Sequence, residues 1–502
     1  MEKRIRRVGI FLVLCFVALF IQLNNIQVVK AHSLATNPAN PRVTSVALDN
    51  PRGDIISANG VTLATSVPAT SGPQRYQRVY PAATASLFAN IVGFDSPVYG
   101  NYRGVEAEYN SYLTAHTVPA TSLSSLFTNR TVEDNVTLTL NTKLQATMAA
   151  ALEAVPGHPP AAAVAIDPST GAILAMYSTP SFNPNPLVSP NIATEKAAYS
   201  ALDPTSQSTP LIASAYQQAY APGSTFKMVT SSAIYEHDPA LAKITFPLQG
   251  CISLPDTNVP FCNYGYNTPQ GPEHCGGNIT ILFPVSCDTG FGQLGMKLGP
   301  TSLYDEARAF GFDQKIPIDL PPAFVAVSNF PAPSTFVGNI PYLAYSAIGQ
   351  GNVIASPLQM ALVASGIANK GVIMKPHVMA EITSTQGKLV KSYTPTPWLR
   401  ATTPAIAAKV TALMRSVVTN PIGTAYPVGF PAQDDVAAKT GTAQVGVHSQ
   451  NTTEWMAAFA PASHPTVAIA VVVPNQPGSL TGESTSGPIA LKLITSALAD
   501  HL

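Results

Sequence analysis

Ser224 and Lys227 lie three residues apart in the stretch Ala221-Pro222-Gly223-Ser224-Thr225-Phe226-Lys227, a hydroxyl and an amine at helical spacing. If the segment is helical from Ser224 on, residues i and i+3 share a face and the amine reaches the hydroxyl. That is a nucleophile beside its base. Serine is unreactive at its own pKa, and an amine held in a desolvated pocket can shed its charge and take the serine proton during attack. A chain of 502 residues carries about one S-x-x-K by chance. A helix start capped by Ser is the competing interpretation. This is the one occurrence in the chain, and it follows a Pro-Gly turn and opens the apolar run Phe226, Met228, Val229, Ala233, Ile234.

Two further stretches decide between these interpretations. Lys439-Thr440-Gly441-Thr442 follows the apolar Val436-Ala437-Ala438 and precedes two strand-like runs, 455–461 and 467–474. The pattern predicts a lysine and hydroxyls on an edge strand, with a glycine that lets a substrate backbone come close. Between the two stretches, Ser286-Cys287-Asp288 sits after the apolar residues 281–285 and before residues 289–298. S-x-x-K, then S-x-N or S-D-N, then K-T-G, in that order, is the signature of penicillin-binding proteins and serine β-lactamases. The spacings, 62 residues from Ser224 to Ser286 and 153 from Ser286 to Lys439, leave room for a helical region between the first motif and the strand.

The chain resembles the class B penicillin-binding proteins, most closely the actinobacterial PbpA-type peptidoglycan D,D-transpeptidases, over nearly its whole length. Asn50-Pro51-Arg52-Gly53-Asp54-Ile55-Ile56, with Asn59-Gly60-Val61-Thr62-Leu63-Ala64, is similar to the arginine-glycine motif of the family's non-catalytic region. Val136-Thr137-Leu138-Thr139-Leu140 with Leu144-Gln145 looks like the entry to the catalytic domain, and the stretch from Ala163 to Met176 like its first hairpin. Ile348-Gly349-Gln350-Gly351 with Ser356-Pro357-Leu358-Gln359-Met360-Ala361 looks like a helix start of the family.

The resemblance implies an α/β fold. A transpeptidase domain at 136–502 has an antiparallel five-stranded sheet, flanking helices and a helical subdomain, preceded by a small β-rich pedestal at 31–135 and a membrane segment at 1–30. The strands near 161–178 and 436–475 should share the sheet, with mostly helix between them and a C-terminal helix over 487–502.

The resemblance also implies a reaction. Ser224 attacks the carbonyl between two terminal D-alanines of a peptidoglycan stem peptide, Lys227 is the base, and Ser286 passes the proton to the leaving amine. The backbone N–H groups of Ser224 and Thr442 form the oxyanion hole, while Lys439, Thr440 and Thr442, with Gly441 between them, grip the terminal carboxylate. β-Lactams inhibit, no metal or organic cofactor is needed, and a membrane glycan polymerase and division or elongation proteins are the implied partners. A D,D-carboxypeptidase or β-lactamase would use the same residues with water as acceptor, though the length and N-terminal region argue against a β-lactamase. A penicillin sensor would need further membrane helices, and none follows residue 30. A catalytically weak division or elongation scaffold is a further alternative.

Two departures stand out. The middle motif carries Asp288 where the family has Asn, which helps hold the lysine and the substrate amide. A carboxylate only accepts hydrogen bonds. There it favours a charged Lys227 and a weaker base. In addition, Thr453-Glu454-Trp455-Met456 stands where relatives often have a His-Ala-Trp strand.

Composition suits this placement. Charged residues are 11% of the chain, with Lys+Arg 27 and Asp+Glu 27, which argues against nucleic acid, whose binding calls for a basic patch. Hydrophobic residues, 46%, are ample for a large core. At the N-terminus Lys3, Arg4, Arg6 and Arg7 precede an apolar stretch over 8–21. This predicts a single-pass protein of the cell membrane with its N-terminus in the cytoplasm and its catalytic domain outside. Fourteen residues also suit a signal peptide, with Val29-Lys30-Ala31 as a passable cleavage site.

Apart from Cys15, the cysteines are Cys251, Cys262, Cys275 and Cys287, clustered on the extracytoplasmic side. An oxidising compartment favours disulfides, and three pairings are open. The favoured one joins Cys251 to Cys262 and Cys275 to Cys287, tethering the loop beside Ser286. Free thiols and a zinc site using His274 are the rivals, the latter without a C-x-x-C or His pair to support it.

Overall fold

The computed structural model of the chain describes residues 2–26, 50–70, 74–101, 103–117, 131–157, 159–265, 271, 273–445 and 451–502. The N-terminal helix runs Glu2–Asn24. Among the described residues it alone is long and apolar enough to cross a membrane, over Arg4–Asn24. Those 21 residues give about 30 Å of helix, the thickness of a hydrocarbon core. The span is thus longer than the fourteen-residue apolar run, because the helix continues through Gln22 and Asn24. Its length and composition suit a single membrane anchor. The cleavage-like Val29-Lys30-Ala31 and the Asn-Pro-rich stretch at 37–41 lie outside the described residues.

The main sheet has five antiparallel strands in the order Ala437–Gln444, Asn451–Ala460, Val467–Pro477, Ala161–Ile166, Ile173–Thr179. Its inner strands read as continuous apolar runs because both faces are covered. Helix Pro357–Ala368 packs against one part of the sheet, and helices Gly482–Ala499 and Thr142–Glu153 pack against it and each other. Small side chains in Ala161–Ile166, all buried, allow this layering. The closing helix starts at Gly482, five residues before the Gly-Pro pair that marks its expected start. Thr481 and Ser484 form a capping box there, and Pro488 is taken into the first turns.

Between the strands Ile173–Thr179 and Ala437–Gln444 of this sheet lie the helices Lys227–His237, Asp288–Leu298, Pro300–Ala309, Ile340–Ala347 and Pro404–Thr419. Phe226, just before the first of these, stacks on Phe330 and meets Phe312 edge-on, both with ring centroids 5.4 Å apart. This pins the turn that carries Ser224.

Six further strands form a second sheet in the order Leu389–Ser392, Met379–Ser384, Asp134–Leu138, Ile55–Ile56, Thr62–Pro68, Tyr76–Val79. The boundary drawn at 135/136 therefore falls inside a strand, and the hairpin 379–392 completes the sheet of the N-terminal region. Pairing between residues some 240 positions apart leaves no local pattern from which to foresee it. The arginine-glycine motif holds this region together. Arg52 Nε and Arg78 Nε bond Glu106 Oε2 and Oε1 at 2.6 and 2.7 Å. Burial would raise the Glu106 carboxyl, but the two guanidiniums outweigh it and hold the group below its ordinary value. A Cβ on Gly53 would stand 2.0 Å from the Asp134 carbonyl oxygen, so only glycine allows the strands to meet here.

One other glycine matters directly to the candidate site. Gly349 has φ +72°, and its added Cβ would lie 2.3 Å from the Gly223 carbonyl oxygen, while its own carbonyl accepts the Gly223 N–H at 2.9 Å. Gly349→Ala should therefore destabilise the chain by about 2 kcal/mol or more, read as a lower urea midpoint. An unchanged midpoint would show that the turn relaxes freely.

Candidate active site

Residues Gly223–Phe226 form a 3-10 turn that runs into the helix Lys227–His237. In a 3-10 turn positions i and i+3 eclipse, which brings Ser224 and Lys227 to one side. Lys227 is fully buried. Its Nζ donates to the Ser286 carbonyl at 2.6 Å, to Ser286 Oγ at 3.3 Å and to Asp288 Oδ1 at 2.6 Å. Ser224 Oγ donates to the same Asp288 oxygen at 3.4 Å. In this resting arrangement Asp288 thus bridges hydroxyl and amine, where the sequence suggests direct contact. No direct hydrogen bond joins Ser224 and Lys227 among the described residues.

Ser286 sits at the centre. Its φ of +57° is left-handed, uncommon for a residue with a side chain and worth about 1–3 kcal/mol of strain. The conformation lets its carbonyl and hydroxyl both meet Lys227, while Lys439 Nζ donates to the hydroxyl at 2.8 Å. Lys439, also fully buried, donates to the Thr440 carbonyl at 2.9 Å. Asp288 begins the helix Asp288–Leu298, whose N-terminal dipole favours a carboxylate. Aromatic faces attend both amines: Lys227 Nζ is 5.4 Å from the centroid of Phe291 and Lys439 Nζ 5.7 Å from that of Phe283.

Burial pushes the Lys227 amine down, and Asp288, by its charge and hydrogen bond, restores only part, so the net shift is downward. The carboxylate alone suggests the opposite direction. Burial wins because the amine lies wholly inside the protein. Lys439 falls well below its ordinary range: burial and the neighbouring Lys227 charge lower it, against a weaker pull from Asp288 and Glu483.

The strand Ala437–Gln444 is tied to the nucleophile turn by Gly441. A Cβ there would lie 2.9 Å from the Pro222 carbonyl oxygen and 3.1 Å from Trp455 Cβ, so the close approach the glycine permits is first of all to the chain itself. Trp455 Nε1 donates to the Ala221 carbonyl at 2.9 Å, which fixes the segment leading to Ser224. Thr440 Oγ1 lies 2.6 Å from Thr424 Oγ1, and Thr442 Oγ1 donates to Glu454 Oε2 at 3.0 Å. Thr424 and Glu454 join the site through these contacts. Glu454 had a signal, being the one charged residue of the strand Asn451–Ala460 beside the lysine strand; Thr424 had none.

Disulfides join Cys251 to Cys262 and Cys275 to Cys287. With those four thiols consumed, no cysteine remains beside His274 to hold zinc. The second bridge anchors the residue next to Ser286. Nearby, Asn263 Oδ1 accepts the Thr289 N–H at 2.8 Å, tying the cystine-rich loop to the start of the Asp288 helix.

Residues 161–495 match the penicillin binding protein transpeptidase domain, and residues 52–136 match the penicillin binding protein A dimerisation domain. Fold and site together define a penicillin-binding transpeptidase, and the chain belongs to that family. Its relatives include the peptidoglycan D,D-transpeptidase PbpA of Mycolicibacterium smegmatis, 33% identical with all of both chains covered. The protein of the same name from Mycobacterium tuberculosis is 34% identical over 99% of each. The crystal structure of that organism's PBPA covers 89% of this chain and 99% of its own, with a TM-score of 0.77 and 32% identity. Its penicillin G acyl-enzyme complex covers 90% and 100%, with a TM-score of 0.78.

Each disulfide closes a short loop, 11 and 12 residues apart in sequence, and should contribute about 3 kcal/mol. Peptide mapping of the unreduced protein should recover both linked pairs. Alkylated Cys287 from a fully oxidised sample would contradict this pairing.

Proposed function

We propose that the chain is a membrane-anchored peptidoglycan D,D-transpeptidase, acylated on Ser224 by stem peptides ending in D-Ala-D-Ala and, in the same way, by β-lactams. The observation that carries this reading is the cluster of two buried lysines, Lys227 and Lys439, with the half-buried Ser286 and Asp288 around the Ser224 hydroxyl, in a chain whose full-length relatives bear that activity in their names.

In the first half-reaction Ser224 Oγ bonds to the penultimate D-alanine carbonyl carbon and gives its proton to the Lys227 amine, the two groups being held side by side by their shared contact with Asp288 Oδ1. Collapse of the tetrahedral intermediate breaks the bond to the terminal D-alanine nitrogen, which takes a proton relayed by Ser286. An amine of a neighbouring stem then attacks the ester, releases Ser224 and forms the cross-link. The backbone N–H groups of Ser224 and Thr442 hold the oxyanion, where one donor is worth about 2.7–4 kcal/mol. Their closeness is supported by Gly223, whose added Cβ would lie 3.1 Å from the Thr442 carbonyl oxygen.

Lys439, Thr440 and Thr442 receive the terminal carboxylate. Lys439 is driven toward neutrality because burial and Lys227 outweigh the pull of Asp288 and Glu483, so an arriving carboxylate restores its charge and draws in a proton. The basic residues Lys3, Arg4, Arg6 and Arg7 before the apolar helix support an N-terminus in the cytoplasm and a domain outside. A membrane glycan polymerase and division or elongation proteins are the partners this role calls for.

A fluorescent penicillin should label the detergent-solubilised full chain covalently, and Ser224→Ala should abolish the label; labelling that persists moves the nucleophile elsewhere. Asp288→Asn removes the charge that holds up the Lys227 pKa while keeping an acceptor. The Lys227 pKa then falls further, free amine appears at lower pH, and the rising limb of the acylation profile moves down. Each pH unit of movement raises the rate on that limb about tenfold. An unmoved profile from pH 5 to 9 would show that the Asp288 charge does not control the base.

A further inference from the structure

Glu454 lies directly opposite Thr442 in the pairing of strands Asn451–Ala460 and Ala437–Gln444. It is completely buried, and Thr442 is half-buried at the edge of the cleft. Thr442 Oγ1 donates to Glu454 Oε2 at 3.0 Å and accepts the Gly482 N–H at 3.2 Å. Glu454 Oε1 has no hydrogen-bond partner among the described residues. A hydroxyl has one hydrogen and two acceptor positions. An ionised Glu454 therefore takes the single hydrogen Thr442 owns, and leaves it only a lone pair to show a ligand.

A carboxylate-ended ligand brings acceptors alone, so it meets a hydroxyl that cannot donate and a negative charge behind it. When Glu454 is neutral the polarity reverses. Its own O–H donates to the second acceptor position of Thr442, and Thr442 is free to turn its hydrogen to the ligand.

We propose that Glu454 is a positioning residue that switches Thr442 between donor and non-donor and so sets how strongly the site prefers ligands ending in a carboxylate. This rests on the reading of Thr442 as part of the carboxylate subsite.

The groups around Glu454 favour a switch near neutral pH. Burial, with an added push from Glu483 at the start of the closing helix, outweighs the lowering by the Thr452 and Thr442 hydroxyls and raises its carboxyl to about 7. Tyr264, on the cystine-rich loop and bonded through its hydroxyl to the Gly478 carbonyl at 3.1 Å, feels both Glu454 and Glu483. On the other neighbouring strand the residue opposite is Val473, which carries no charge. Lys439, on the strand that carries Thr442, has Ser286 Oγ and the Thr440 carbonyl as its hydrogen-bond partners. No ion pair to Glu454 exists among the described residues. Since the carboxyl is neutral below about 7 and ionised above it, recognition of carboxylates weakens as pH rises.

The test compares second-order acylation rate constants of the full chain for two thioester ligands, alike except that one ends in a carboxylate and the other in its carboxamide, from pH 5.5 to 8.5. In the wild type the carboxylate-to-carboxamide ratio should fall about tenfold, the worth of one hydrogen bond to a charged group, with its midpoint near 7. Glu454→Gln keeps a neutral donor beside Thr442, so its ratio should stay high through pH 8.5. Thr442→Val removes the switched hydroxyl and should give a low ratio without that midpoint, even if the Gln variant does not fold. A fall with the wild-type midpoint in either variant overturns the inference. Absence of acylation of the wild type by both ligands at every pH overturns the transpeptidase reading itself.

Discussion

Two lysine amines, Lys227 and Lys439, are buried within reach of one serine hydroxyl, and a single carboxylate, Asp288, is hydrogen-bonded to the first of them. A low-dielectric pocket does not hold two ammonium ions against one anion. The cluster is short of protons by construction, and in the proposed mechanism that shortage supplies the base beside Ser224. Much of the surrounding architecture keeps the shortage in place. The left-handed backbone at Ser286, the Cys275–Cys287 bridge beside it, the faces of Phe283 and Phe291, and the Gly349–Gly223 contact each fix one wall of the pocket. Loosening any of them admits water, and with water the amines regain their ordinary proton affinity.

The parts of this legible in the sequence are those written locally. Ser224 and Lys227 are one turn apart, Lys439 to Thr442 are consecutive, and the apolar runs that become the main sheet bracket them on both sides. What the sequence withheld depends on neighbours distant in the chain. The net direction of the Lys227 shift is set by burial, and no motif shows that the side chain lies wholly inside the protein. The link through Asp288 depends on how two helix starts meet. Glu454 is visible as the one charged residue of its strand, but its meaning depends on register, Thr442 against Glu454, which alternation alone does not fix. The start of the last helix was obscured for a different reason. Gly-Pro is so common a beginning that the true cap at Thr481, further upstream, is easily passed over.

Scarce charge is consistent with this picture. Of the few ionisable side chains, several of the most constrained are buried in two places: Lys227, Lys439 and Glu454 at the site, and Arg52, Arg78 and Glu106 in the N-terminal region. The second group is balanced in charge, Arg52 and Arg78 set against Glu106 and against Asp95, which lies 3.7 Å from Arg52 Nε, and makes a rigid joint. The first is left unbalanced, which suits the chemistry proposed for it. The same residue types serve opposite ends because one cluster has its counter-charges built in and the other awaits an anion from outside.

The second sheet has a bearing on how such a chain can be inherited or rebuilt. Strands from 55–79 and 134–138 are completed by the hairpin 379–392, which lies deep within the part of the chain that carries the motifs. Two segments far apart in the gene therefore behave as one piece of protein. An exchange of N-terminal regions between relatives at the apparent seam near residue 135 would bring in strands cut for a different edge. A working hybrid has to carry 379–392 along with 50–138, so recombination favours two coordinated crossovers over one.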